Sequence, residues 1–147
     1  MPLIWRVMKI DGDRPEVGRG ANLLGVRVGG KETDDINPDG EGRVQPGRGG
    51  MSVSPSIDTL PTHRIPRRLR EAYPERFPEA TASNRHYCWS LGEGPFQAGR
   101  VAERLCFRPD PDNPGRHGFV EPDDTMLLAD YEAALAATRE QWRRWEE

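Results

Sequence analysis

The chain has no apolar run approaching the roughly 20 residues that a membrane-crossing helix requires, so no membrane partner is expected. Its start, MPLIWRVMKIDGD, lacks the apolar segment and small-residue cleavage site of a signal peptide. If the protein leaves its cell, the expected route needs no cleaved leader. Cysteine is scarce: Cys88 and Cys106 both sit in apolar stretches, which points to reduced thiols rather than a disulfide or a metal pair. His63, His86 and His117 are scattered and lack metal-ligand spacing, so no metal is expected. A basic excess is also missing. With 21 basic and 24 acidic residues the net charge is −3, whereas a nucleic-acid surface would show a clear positive balance. The acidity is concentrated at the end: residues 121–147 carry three basic and eight acidic side chains, against ten and eight in 51–120. No glycine-rich run ends in Gly-Lys-Ser/Thr, the glycines of VGRGANLLG are out of frame for a dinucleotide fingerprint, and the G-x-S-x-G of serine hydrolases is absent.

What is present fits one domain spanning 1–147, with one modest core. Sixteen glycines and fourteen prolines make the chain loop-rich, while four Trp and four Phe spread along it supply a core. PLIWRVMKI reads as a strand and DGDRP as a turn. PEVGRGANLLGV is expected as a short helix with Val17, Ala21 and Leu24 on one face. Residues 26–48, with INPDGEG, read as a long surface loop, a length usually functional or mobile. GMSVS, HYCWSL, RLCFR and HGFVE read as strands, the last two joined by the turn-rich PDPDNPGR. PRRLREAY suits two helical turns. Leu128, Tyr131, Leu135, Thr138, Trp142 and Trp145 recur at three- and four-residue steps, which predicts a helix over about 126–145. Short strands followed by one helix define an α+β class.

Three places could carry chemistry. Arg6 shares a strand face with Ile4 and Met8. It is either an edge arginine whose stem covers apolar surface or a guanidinium in a cleft, where its planar fork suits phosphate, carboxylate or ribose. In PGRGGMSVSPS, Gly49 and Gly50 lack Cβ atoms and lead into a strand with Ser52 and Ser54 on one face. That is an ordinary half-exposed strand or a close approach for a ligand that the serines orient. In HGFVEP, Glu121 shares a face with Phe119 and stands where Pro122 must end the strand, as a solvated or a catalytic carboxylate would. Arg108, Asp110, Asp112 and Arg116 are expected to stabilise their own turn. Arg64, Arg67, Arg68 and Arg70 form a basic knot, either a solvated face or a phosphate clamp.

IWRV (4–7), LGVR (24–27), DINPDGEGRVQPGRGGMSVSP (35–55), LPTHRIP (60–66), CFRPDPDNPGRHGFVEP (106–122) and YEAALAATREQW (131–142) together resemble the small ADP-ribosyltransferase-like toxins delivered by bacterial type VI secretion. The resemblance implies an ADP-ribosyltransferase-like fold, with two small antiparallel sheets around an NAD cleft and a C-terminal helix. It implies that NAD is the substrate, with Arg6, Ser52 and Glu121 as catalytic residues. Cofactor contacts would come from Arg6, Gly49, Gly50, Ser52, Ser54, His63 and Arg64, with Tyr87 or Trp89 stacking on nicotinamide. It further implies a toxin acting in the cytoplasm of a recipient bacterium, a secretion-apparatus component or chaperone as a partner, and an immunity protein covering the cleft. Two other readings use the same scaffold: an inactive interaction module, and an RNA 2′-phosphotransferase. The net negative charge and the lack of His-containing site motifs count against the latter.

Overall fold

A computed structural model describes all residues, 1–147. In chain order the strands are β1 (Ile4–Asp11), β2 (Arg14–Pro15), β3 (Arg43–Val44) and β4 (Met51–Val53). Helix α1 (Arg67–Ala72) precedes β5 (His86–Leu91), β6 (Gly99–Ala102), β7 (Leu105–Pro109), β8 (Gly118–Pro122) and β9 (Met126–Leu127). Helix α2 (Leu128–Ala136) and β10 (Arg143–Arg144) complete the chain. Two four-stranded antiparallel sheets, β10-β5-β1-β2 and β4-β8-β7-β6, are accompanied by a small β3-β9 pair. The expected α+β class with small antiparallel sheets is what the chain forms. No helix is long and apolar enough to cross a membrane.

The first sheet is buried on both faces, which explains why its strands read as nearly continuous apolar runs. Register pairs Ile4 with Leu91, Arg6 with Trp89, and Met8 with Tyr87 on one face. Ile4, Met8, Trp89 and Leu91 join the main core, together with Met51, Val53, Leu105, Phe107 and Val120 of the second sheet and Tyr131 and Leu135 of α2. On the opposite face Val7 and Cys88 pack in a second, smaller core with Ile57, Leu60, Ile65, Leu69 and Phe77. Both cysteines are free, and burial pushes the Cys88 thiol up to about 12. The second sheet buries only one face. Its other face displays Ser52, Phe119 and Arg108, which stand opposite one another across β4, β8 and β7.

Two expected helices differ from the structure. Residues 15–26 form no helix. The segment folds back on itself, with Val17 bridged to Leu24 and Val17 itself exposed. Leu24 N–H donates to Glu16 O (2.8 Å) and Lys9 N–H to Asn22 O (2.8 Å), so the backbone bonds run across the loop and not along a helix. Gly18 and Gly20 each weaken a helix by about 1 kcal/mol relative to alanine, and the fold-back wins.

The tail helix stops at Ala136. Thr138 Oγ1 donates to Leu135 O (2.7 Å) and accepts from Trp142 Nε1 (2.9 Å), a local alternative to the next helical turn. The chain then turns outward, pairs Arg143 and Arg144 with β5, and sends Trp145 to the second core beside Tyr73 and Phe77. Trp142 and Trp145 therefore serve different cores, although their spacing suits one helix face. The segment 26–48 is a long connection, as expected, but Val26, Ile36 and Val44 anchor it in the main core.

Trp142 is buried in the main core and its indole N–H is satisfied. Trp142→Ala is expected to cost about 3–5 kcal/mol, the range for removing a buried large aromatic side chain. Denaturant unfolding of the isolated protein measures it.

Candidate functional site

The two four-stranded sheets meet at one bridged pair. Trp5 N–H donates to Ser54 O (2.8 Å) and Ser54 N–H to Trp5 O (2.9 Å). A cavity of about 220 Å³ opens beside this junction. Its walls include Trp5, Arg6, Arg27, Asp35, Ser52, Ser54, Arg64 and His117, with Leu60 and Pro61 along one side. Sites for drug-sized ligands hold roughly 300–1,000 Å³, so this space is smaller than such a site.

Arg6, Ser52 and Ser54, separated by nearly fifty residues of chain, are brought together here. Arg6 is buried in a central strand, so it is not an edge arginine. It holds four backbone carbonyls: Leu23 O through Nε (3.1 Å) and Nη2 (2.9 Å), Ser52 O through Nη1 (2.7 Å), and Gly20 O (3.2 Å) and Gly25 O (3.3 Å) through Nη2. No carboxylate touches it. Burial pulls its pKa down to about 10, so it remains protonated at neutral pH, and Asp35 is the negative charge that most offsets this. Each of its three nitrogens is thus engaged by the fold, and Nη1 keeps one N–H beyond its bond to Ser52 O.

Glu121 stands on the same sheet face as Ser52, since Ser52 pairs with Phe119 two residues away. Its carboxylate, however, is absent from the cavity wall. Oε2 accepts from Gly47 N–H (2.8 Å) and from Arg108 Nε (3.0 Å), and the side chain is only 10% exposed. Arg108, expected to serve its own turn, instead pairs across the sheet.

The glycines also differ from expectation. The close approach is to the protein's own backbone. A Cβ on Gly49 (φ +96°) would lie 2.2 Å from Asp35 O, and one on Gly50 (φ +154°) would lie 2.5 Å from Val120 O. Gly50 N–H donates to Asp35 O (2.9 Å). These residues let the 35–36 segment and β8 crowd the start of β4, and no ligand is needed to explain them.

The aromatic candidates fall elsewhere. Trp89 is buried in the main core, with its indole N–H on Met8 O (3.0 Å). Tyr87 lies under the Arg68 guanidinium (4.2 Å to the ring centroid), with Arg144 at 5.2 Å. Trp5 is the ring in the cavity wall. His63 is exposed and outside the cavity, whereas its neighbour Arg64 lines it. Arg68 belongs to a structural clasp, with bonds to Glu147 (Nε–Oε1 2.7 Å), Asn84 O (2.9 Å) and His86 O (2.9 Å).

Sequence reasoning missed three groups. Asp35 accepts from the Arg27 backbone N–H (2.7 Å) and from Arg27 Nη2 (2.9 Å), an ion pair within the 26–48 segment. His117 enters the wall from the β7–β8 turn. Its Nδ1 is 2.9 Å from Asp110 Oδ2, and its ring stands edge-on to Phe119. That contact holds the Asp110 carboxyl below the usual range, helped by the Asp112 N–H. With Nδ1 engaged, Nε2 is the ring nitrogen left for proton chemistry. The seven-residue spacing of Asp110 and His117 across a proline- and glycine-rich turn was the available signal. In comparisons with known proteins, the chain matches no family model and no curated protein.

Removing the Arg6 guanidinium would take a charged donor from four carbonyls, of which Gly20 O keeps the Leu23 N–H (3.4 Å), and each buried polar group left unsatisfied costs about 1–3 kcal/mol. Arg6→Ala is therefore expected to lose about 3 kcal/mol or more with no ligand present. Arg6→Lys should lose nearly as much, because an ammonium cannot span carbonyls on both sides of the strand. Urea unfolding of both variants tests this; an unchanged midpoint for Arg6→Ala would return Arg6 to a purely ligand-facing role.

Proposed function

We propose that the chain is an NAD-consuming antibacterial toxin of ADP-ribosyltransferase type, acting in the cytoplasm of a recipient bacterium. The observation that carries this reading is the convergence of Arg6, Ser52 and Ser54 at the junction of two small antiparallel sheets, with Glu121 on the Ser52 face. It supports the arrangement that the sequence resemblance implies. Trp5 offers a ring against which a nicotinamide could stack. The serine hydroxyls can orient a ribose. Arg6 places a positive charge beside the site.

In this reaction the C1′–N bond of the nicotinamide ribose breaks. The bonding electron pair leaves with nicotinamide, and the oxocarbenium-like carbon is captured by an oxygen or nitrogen of the acceptor, or by water, which gives up a proton. The resemblance gives Glu121 the role of stabilising the developing positive charge; its oxygen not engaged by Arg108 and Gly47 would have to turn toward the cavity, whose wall it does not line. His117, oriented by Asp110, would receive the acceptor proton through Nε2. An immunity protein that covers the cleft would block the whole sequence, and export would involve a secretion-apparatus component or chaperone.

A second reading is favoured by one observation. The Glu121 carboxylate is tied to Arg108 and lies outside the cavity wall, as it would in an inactive scaffold that kills by binding.

The two readings separate in a direct assay. Purified protein incubated with NAD should release nicotinamide, measured chromatographically. Glu121→Gln keeps the acceptor oxygen for Gly47 and removes the charge, so turnover should fall roughly 10²–10³-fold with NAD affinity largely retained. A parental rate in that variant would take Glu121 out of the chemistry. Absence of nicotinamide release by the parent, combined with killing on cytoplasmic expression that the neighbouring open reading frame relieves, would favour the binding module.

A further inference from the structure

Three guanidiniums, those of Arg6, Arg27 and Arg64, face one small cavity whose wall holds one carboxylate, Asp35. Arg6 is engaged by four carbonyls. Arg27 is paired with Asp35 through Nε and Nη2, leaving Nη1 without a partner. Arg64 differs from both. Its guanidinium makes no ion pair and no hydrogen bond in the protein, and its buried Nε is the one buried side-chain nitrogen or oxygen left unsatisfied. Burial and the like charge of Arg27 both lower its pKa, with Asp35 only partly offsetting them. Such a group normally carries an explanation. An unpaired fork-shaped cation beside a second cation, in a concave site, is what a tetrahedral oxyanion fills.

We propose that Arg64, assisted by the free edge of Arg27, forms a phosphate subsite in the cleft that takes the diphosphate of a dinucleotide or nucleoside diphosphate. The site is built locally. Arg64 ends a short 3-10 turn, Thr62–Arg64, whose flanking Leu60 and Ile65 are buried in the second core, so the side chain leaves a fixed point of the backbone. Leu60 and Pro61, on the same wall, provide an apolar surface beside the anion. The phosphate contact thereby passes from the first-strand arginine, whose three nitrogens are each engaged, to Arg64. Which nucleotide binds rests on the function proposed above; the affinity for diphosphate does not.

Calorimetry with inorganic pyrophosphate, ADP and NAD on the full chain tests the assignment. All three should bind the parent, and affinity should weaken with added salt. Arg64→Gln removes the charge and leaves the surrounding bonds unchanged, so it should weaken all three by at least tenfold with an unaltered melting temperature. Arg67→Gln, on exposed α1, should change none of them. Failure of pyrophosphate and ADP to bind the parent would overturn the subsite, as would equal losses in the Arg64 and Arg67 variants. Diphosphate binding that depends on Arg64 without nicotinamide release would uphold the subsite and overturn the transferase. Nicotinamide release with a KM unchanged by Arg64→Gln would do the reverse.

Discussion

The buried guanidinium of Arg6 is the constraint around which the molecule is organised. It sits in the middle of β1, at the line where the first sheet gives way to the second. One side reaches the carbonyls of the 18–25 fold-back and the other reaches Ser52 O on β4. A cation in this place needs many acceptors because no carboxylate touches it, and an arginine supplies five donors in one plane. It is thus one cause of three features: residues 15–26 cannot close their carbonyls into a helix, the fold-back is held against β1, and β4 is placed beside the sheet junction. The cavity is the space left between these pieces.

This arrangement redistributes roles around the cleft. A residue type suited to binding anions is engaged in structure, and the charges available to a ligand move to the 26–48 segment and the 62–64 turn. The carboxylates are treated alike. Asp35 holds Arg27, and Glu121 holds Arg108 and Gly47 N–H, so neither is a bare negative charge that would repel a phosphate. The resulting balance in the cavity wall is positive although the chain as a whole is negative.

Much of the fold was legible because its signals are local. Alternation in GMSVS and HGFVE marked the two strands that display the Ser52 and Glu121 face, and PDPDNPGR marked the hairpin that joins RLCFR to HGFVE. The candidate residues were legible only in part, and not in their roles. Arg6, Ser52, Ser54 and Arg64 do converge, yet which arginine is free depends on carbonyls contributed by residues 14 to 46 positions away in the chain, a quantity no pattern carries. Gly49 and Gly50 were read as a close approach for a ligand, whereas the approaching body is the carbonyl of Asp35 or Val120. The end of α2 was hidden for a similar reason. Its periodicity continues through Trp142, but at Thr138, whose hydroxyl bonds Leu135 O and Trp142 Nε1, the helix gives way to a 3-10 turn over Arg139–Gln141.

The far side of the cleft is fixed by a second polar device, the hydroxyl of Tyr131. It accepts from Met51 N–H (3.1 Å) and donates to Val120 O (2.5 Å), so one phenol on α2 joins β4 and β8 at their paired positions. Burial raises the pKa of this hydroxyl well above the ordinary tyrosine value, which keeps the proton that donates to Val120. A bond at this point matters because Gly50 precedes Met51 in a conformation that leaves β4 only three residues long. So short a strand has little register of its own. The Tyr131 contact and the Arg6–Ser52 bond hold it from opposite sides, and Ser52 and Ser54 are thereby presented to the cleft by a strand that its neighbours position. The helix is thus part of the site's support although none of its residues lines the cavity.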